Sequence, residues 1–162
     1  MKIKRYLPIA VVFAMSLVLS FSIHFRDSPL SLHGFFNGTM GFFLCLLAMF
    51  KLFNLPGFAD GFQMYDIVAK RVRIYAYCYP FIELTLGVLF LTGLVPLETN
   101  VVTLLVMAVS ALGVIKSLLA GMDIRCACLG TALDVPLSTV SVVENVGMGV
   151  MAAINLYSLV GQ

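Results

Sequence analysis

The chain has 162 residues, enough for one domain, and is 61% hydrophobic and 11% charged with a mean hydropathy of +1.05. Water-soluble domains carry roughly 25% charged residues, so this chain has too little polar surface to cover itself and lipid must be its solvent. The net charge of +2 and the lack of a Lys/Arg-rich tract argue against nucleic acid, and the four cysteines are not a secreted disulfide framework, because Cys45 and Cys78 lie in or beside apolar runs.

Met1 to Arg5 is a short basic start. Tyr6 to Phe25 is a continuous apolar run, and about 20 such residues cross a bilayer as a helix. A cleaved signal peptide competes with this reading, since Ser20 and Ser22 are small residues at cleavage-type positions. The run is long for a signal core and the cleavage site is weak, which favours an uncleaved anchor. Arg26 to His33 follows as a polar loop containing Pro29. His24 and His33 have no neighbouring Cys or carboxylate pattern and read as interfacial or solvated rather than as ligands.

Gly34 to Leu55 is the second span. Lys51 lies a turn before its end, where its ammonium is expected to snorkel toward the headgroups. Pro56-Gly57 breaks the helix. Phe58 to Tyr65 mixes aromatic and polar residues and reads as interfacial, and Asp66 to Arg73 as a basic, partly amphipathic turn or two at the surface. Ile74 to Leu97 is the third span. Pro80 removes a backbone donor within it, and Glu83 lies inside the hydrocarbon, where a carboxylate is costly unless protonated or paired. Gly87, four residues on and on the same face, lets a neighbouring helix approach. Pro96 to Asn100 is a short acidic turn and Val101 to Ile115 the fourth span, ending at Lys116. The fifth span, Ser138 to Val160, carries Glu144 and Asn145 about two turns in. Gly41, Gly87, Gly113, Gly147 and Gly149 read as close helix contacts. Cys45 and most of the nine methionines read as packing.

Orientation follows from the basic residues, which prefer the cytoplasmic side of short loops. With the N-terminus inside, Lys2, Lys4, Arg5, Lys51, Lys70, Arg71, Arg73, Lys116 and Arg125 fall inside and only Arg26 outside, nine of the ten Lys and Arg residues. Cys126 and Cys128, between the fourth and fifth spans, then lie on the cytoplasmic side, with Cys78 at the same level. The cytosol keeps thiols reduced, so a close pair there binds metal or cycles its redox state more readily than it forms a stable disulfide.

Two constellations carry the chemistry. Lys51, Glu83, Lys116 and Glu144 come from four spans and lie in or just below the cytoplasmic half. They form either two ion pairs that fix helix register or a polar path for protons or cations. The second is Cys126-Ala127-Cys128, whose thiols share a face in an extended segment. Arg125 beside them favours the thiolate. Such a pair can exchange disulfides, or clamp a soft ion such as Cu(I) or Hg(II) with a thioether from Met122 or Met64. A third reading is two small apolar residues packing in an interfacial loop. No glycine-rich phosphate loop, Ser-His-Asp arrangement or tryptophan suggests other chemistry.

Read together, Phe50 to Arg71 (FKLFNLPGFADGFQMYDIVAKR), Ala76 to Gly87 (AYCYPFIELTLG) and Gly121 to Met148 (GMDIRCACLGTALDVPLSTVSVVENVGM) resemble the DoxX-like and methylamine-utilisation MauE membrane proteins. The most specific positions are Lys51, Pro80 to Glu83, the Cys126-Ala127-Cys128-Leu-Gly run and Glu144-Asn145, and the likeness covers Gly38 to Leu159. It implies an all-α, antiparallel four-helix bundle in a bacterial inner membrane. Residues 34–162 would form this bundle, and residues 1–33 would be an added transmembrane anchor and periplasmic loop. It also implies work in thiol redox or in maturation of a periplasmic, disulfide-rich partner. Cys126 and Cys128 are then the exchanging pair, and Glu83 and Glu144 give polar support or proton handling. A periplasmic client needs the other face of the membrane, so a cytoplasmic thiol pair would be one end of a relay. No cofactor is firmly implied, and a soft metal on Cys126, Cys128 and Met122 is the alternative. The expected surroundings are the lipid bilayer and a redox or client protein, in a homo- or hetero-oligomer.

Overall fold

The computed structural model describes residues 7–25, 32–120 and 137–160. These form six helices: α1 (Leu7–His24), α2 (Leu32–Phe53), α3 (Leu55–Gln63), α4 (Arg73–Thr92), α5 (Pro96–Leu119) and α6 (Leu137–Val160). Among the described residues, three helical stretches are long and apolar enough to cross a membrane: His33–Phe53, Arg73–Thr92 and Pro96–Leu119, with a shorter apolar helix at Leu7–Ile23. α6 has 24 residues, roughly 36 Å at the α-helical rise. The protein is thus a polytopic all-α membrane protein.

Unlike a water-soluble bundle, this one turns large apolar side chains outward as well as inward and buries polar groups among its core. Val11, Val18, Leu105, Leu112, Val150 and Ile154 face outward. Ser16, Thr103, Ser110, Ser117, Glu83, Glu144 and Asn155 are buried. Lipid tails are as apolar as leucine, so the helices gain little by hiding apolar side chains from them; close packing and interhelical hydrogen bonds hold such bundles together. Both are present. α1 lies on α2, where the Ser20 hydroxyl donates to the Phe35 carbonyl at 2.7 Å and Phe13 meets Phe43 edge-on at 5.7 Å. Asn155 on α6 donates to Asn37 Oδ1 on α2 at 2.7 Å, and Asn145 on α6 to Ser110 Oγ on α5 at 3.2 Å.

α2 and α4 run antiparallel and meet almost backbone to backbone. A Cβ at Gly87 would lie 2.6 Å from Cys45 Sγ and 2.9 Å from the Gly41 carbonyl oxygen; a Cβ at Gly41 would lie 2.9 Å from the Gly87 oxygen. Gly113 on α5 does the same against the Tyr65 carbonyl, with 2.8 Å available. Gly147 and Gly149 are not close contacts: among the described residues the first has nothing within 4 Å and the second only Leu104 Cδ1 at 3.9 Å. The two groups are therefore expected to separate on mutation. Gly87→Val should cost about 1–3 kcal/mol by overpacking. Gly147→Ala should cost nothing and gain up to about 1 kcal/mol of helix propensity. Thermal unfolding in detergent distinguishes them.

The chain between α2 and α4 differs most from the expectation of an interfacial segment. Asn54 ends α2 and caps α3, its Oδ1 accepting from the Gly57 N–H at 3.1 Å, while Pro56 sits at the helix start where its missing donor costs nothing. α3 then buries Phe58, Ala59 and Phe62 at 0–1% exposure. Phe62 is the centre of an aromatic plate, with Phe58 at 5.1 Å, Tyr65 at 5.4 Å, Tyr75 at 6.1 Å and Tyr79 at 4.5 Å between centroids. The expected acidic turn at Pro96 to Asn100 is the first turn of α5. Gly93, at φ +63°, closes α4 in the left-handed region, and Pro96 starts α5 within the next turn.

Asp66 organises the turn after α3. Its Oδ1 accepts from the Val68 and Ala69 N–H groups at 2.9 and 2.8 Å, while its buried Oδ2 has no partner among the described residues. Burial pushes this carboxyl above the usual carboxylate range, against the pull of those two bonds and of Lys70. The folded state then holds this proton to higher pH than the unfolded state, so its contribution to stability is lost as pH rises through the raised value. Asp66→Asn keeps the Oδ1 acceptor and removes the titration. Wild-type stability should therefore fall relative to Asp66→Asn across that range, as pH-dependent melting would register.

Candidate functional site

The last turn of α2, the middle of α4 and the second turn of α6 converge on one point. Lys51 Nζ bonds both oxygens of Glu83 at 2.5 Å and lies 3.8 Å from Glu144 Oε1. All three residues are buried, at 2%, 0% and 6% exposure. Lys51 therefore does not snorkel outward: its flexible stem is turned into the bundle because two carboxylates wait there, and a charge inside a membrane protein is retained by pairing. The ammonium also sits 5.7 Å from the Phe58 ring centre and 5.3 Å from that of Tyr79, a supporting cation–π arrangement. Lys116, the other expected cation, is exposed and outside the group.

The cluster has a built wall. Phe58, Phe62 and Tyr65 close it from the α3 side, Tyr79 from α4, Ser110 from α5 and Asn145 from α6. The space they leave admits about one water at most. The walls are held in place: Asn145 bonds Ser110, and the Ser117 hydroxyl reaches the Tyr65 carbonyl at 3.5 Å. Glu144 Oε2 is buried with no hydrogen-bond partner among the described residues. One ammonium thus serves two carboxylates, tightly on one side and loosely on the other.

Sequence reasoning found Glu83, Glu144 and Lys51 but missed most of this wall. The available signal was helical spacing. Phe58, Phe62 and Tyr65 recur at four and three residues, as Tyr75 and Tyr79 do at four, which places each set on one helical face.

Cys126, Cys128 and Met122 lie outside the described residues. They belong to the connection 121–136, which joins the C-terminal end of α5 to the N-terminal end of α6. That is the end of the bundle at which α2 finishes, α4 begins and the charged cluster sits. Cys45 is half-buried against Gly87, as expected of a packing residue, and Cys78 is exposed. Met64 is also exposed. Among the described residues, no group of three or more His, Cys, Asp and Glu is placed to hold a metal ion.

The family model described as "Methylamine utilisation protein MauE" matches residues 5–158. The chain belongs to the MauE family. This membership makes it an accessory membrane protein of the methylamine-utilisation type. The MauE match takes in α1 together with the other five helices, so the first helix lies within the family's extent. Comparisons with curated proteins and with solved structures gave no match.

Proposed function

We propose that this MauE-family protein serves thiol–disulfide redox or the maturation of a partner protein in the bacterial inner membrane, with Cys126 and Cys128 as the exchanging pair. The observation that carries the reading is the convergence of Lys51, Glu83 and Glu144 at the end of the bundle from which the 121–136 connection leaves. A bundle that keeps three charges out of lipid at the base of a connection with two close thiols is organised around that connection. In one turnover the thiolate of one cysteine attacks a sulfur of the partner's disulfide, forming a mixed disulfide and releasing one partner thiolate. The second cysteine then displaces the other partner sulfur, leaving Cys126 and Cys128 oxidised and the partner as a dithiol. The same steps in reverse oxidise the partner. Glu83 and Glu144 give polar support or proton handling. The N-terminus and the thiol pair lie on the cytoplasmic side, as the distribution of basic residues argues.

The test is to trap thiols in living cells with membrane-permeant and impermeant alkylating reagents. A mixed population of free and disulfide-linked Cys126 and Cys128, labelled only by the permeant reagent while free, is the expected result. Thiols that stay uniformly free and unreactive overturn the proposal. Protection that a chelator reverses replaces it with a soft-metal site on Cys126, Cys128 and Met122.

A further inference from the structure

The charged cluster is lopsided in a way that separates its two carboxylates. Glu83 spends both oxygens on the Lys51 ammonium, each at 2.5 Å. Glu144 reaches the same ammonium only through Oε1, at 3.8 Å, beyond hydrogen-bonding distance. Its Oε2 is buried with no hydrogen-bond partner among the described residues, and Glu144 lines the small space between the helices. The groups facing Glu144 are Lys51 from α2, Tyr65 beyond α3, Glu83 and Tyr79 from α4, and Ser110 from α5, with Asn145 beside it on α6. Lys51 is the only cation among them. With both carboxylates ionised the cluster carries one uncompensated negative charge, in a space that admits about one water. An unpaired buried charge of that kind is heavily penalised, and the ordinary relief is neutralisation by a proton.

We propose that Glu144 is a proton-binding site, holding one exchangeable proton while Lys51 and Glu83 stay ion-paired beside it. Glu144 then contributes a neutral carboxylic acid, Lys51 one positive charge and Glu83 one negative charge, so the cluster as a whole is neutral. Release of the proton leaves Glu144 as a carboxylate that competes with Glu83 for the single ammonium, and the 1.3 Å difference between 2.5 and 3.8 Å is the distance over which that competition is played. Proton binding at Glu144 is therefore coupled to the position of the Lys51 side chain, with no helix movement required. This deepens the proton-handling part of the reading above. It can fail while the thiol chemistry stands, because its measurement needs no turnover.

The measurement is carbon-13 solid-state NMR of the wild-type protein in phospholipid bilayers, with the side-chain carboxyl carbons of Glu83 and Glu144 assigned through their own backbones. At neutral pH, Glu144 should show the chemical shift of a carboxylic acid and Glu83 that of a carboxylate. Raising the pH should move Glu144 alone to the carboxylate position, with a simultaneous shift of the Lys51 Nζ resonance. A Glu144 carboxylate at neutral pH overturns the proposal, as does a proton found on Glu83. A Lys51 resonance that stays unmoved while Glu144 titrates overturns the coupling.

Discussion

Lys51→Met is expected to destabilise the folded bundle by about 3–5 kcal/mol, the cost of removing one partner from a buried ion pair. Methionine fills the same channel as the lysine stem, so the change is one of charge rather than of volume. Among the described residues Lys51 is the cation that both carboxylates meet: Glu83 loses both of its bonds to the ammonium and Glu144 its cationic neighbour. For a chain of this size the melting temperature in detergent should fall by on the order of 10 °C. Pairing Lys51→Met with Glu83→Gln should recover a good part of this, since a neutral amide no longer needs the ammonium. If Lys51→Met melts with the wild type, or the double variant is worse than the single, the buried pair is not what holds α2 to α4 in this register.

Cys126→Ser is expected to abolish activity and leave the bundle folded. A serine hydroxyl is not ionised at neutral pH and cannot attack a sulfur, so exchange stops at the first or second displacement. The core of the described residues is built from the helices. Met40, Leu44, Leu47, Phe58, Phe62, Met107, Val114 and Met148 are all within 1% of full burial, and all lie on α2, α3, α5 and α6. Melting is expected to be unchanged within about 0.5 kcal/mol, while a strain lacking the protein should gain nothing from the variant. Full complementation by Cys126→Ser would end the thiol reading.

Much of the architecture was legible because lipid imposes a simple rule on sequence. Backbone polar groups must be satisfied inside each spanning segment, so long apolar runs become helices. The runs around α2, α4, α5 and α6 lie close to where their hydropathy places them. Charges are so costly in these runs that Glu83 and Glu144 stood out as a site from the sequence alone. The segment between α2 and α4 was not legible, because short aromatic-polar stretches serve equally for a membrane interface and a buried helix. What decided it was contact with Tyr75 and Tyr79, which no local pattern reports. Lys51 and Lys116 were indistinguishable as isolated lysines near helix ends. The difference is rotational: Lys51 faces two carboxylates across the bundle, while Lys116 faces outward. Likewise Gly87 and Gly147 both suggested close approach, and only the position of the neighbouring helix separates them.

The backbone contact at Gly41 and Gly87 limits how this protein can move. At this crossing each glycine faces the other's carbonyl oxygen, with the Cys45 and Leu91 side chains packed beside them, so lengthwise sliding of one rod would drive side chains into backbone. A piston stroke of α4 against α2 would have to displace these close contacts. What stays available is the swing of one long amine between two acids, a displacement small enough for a rigid scaffold to accommodate.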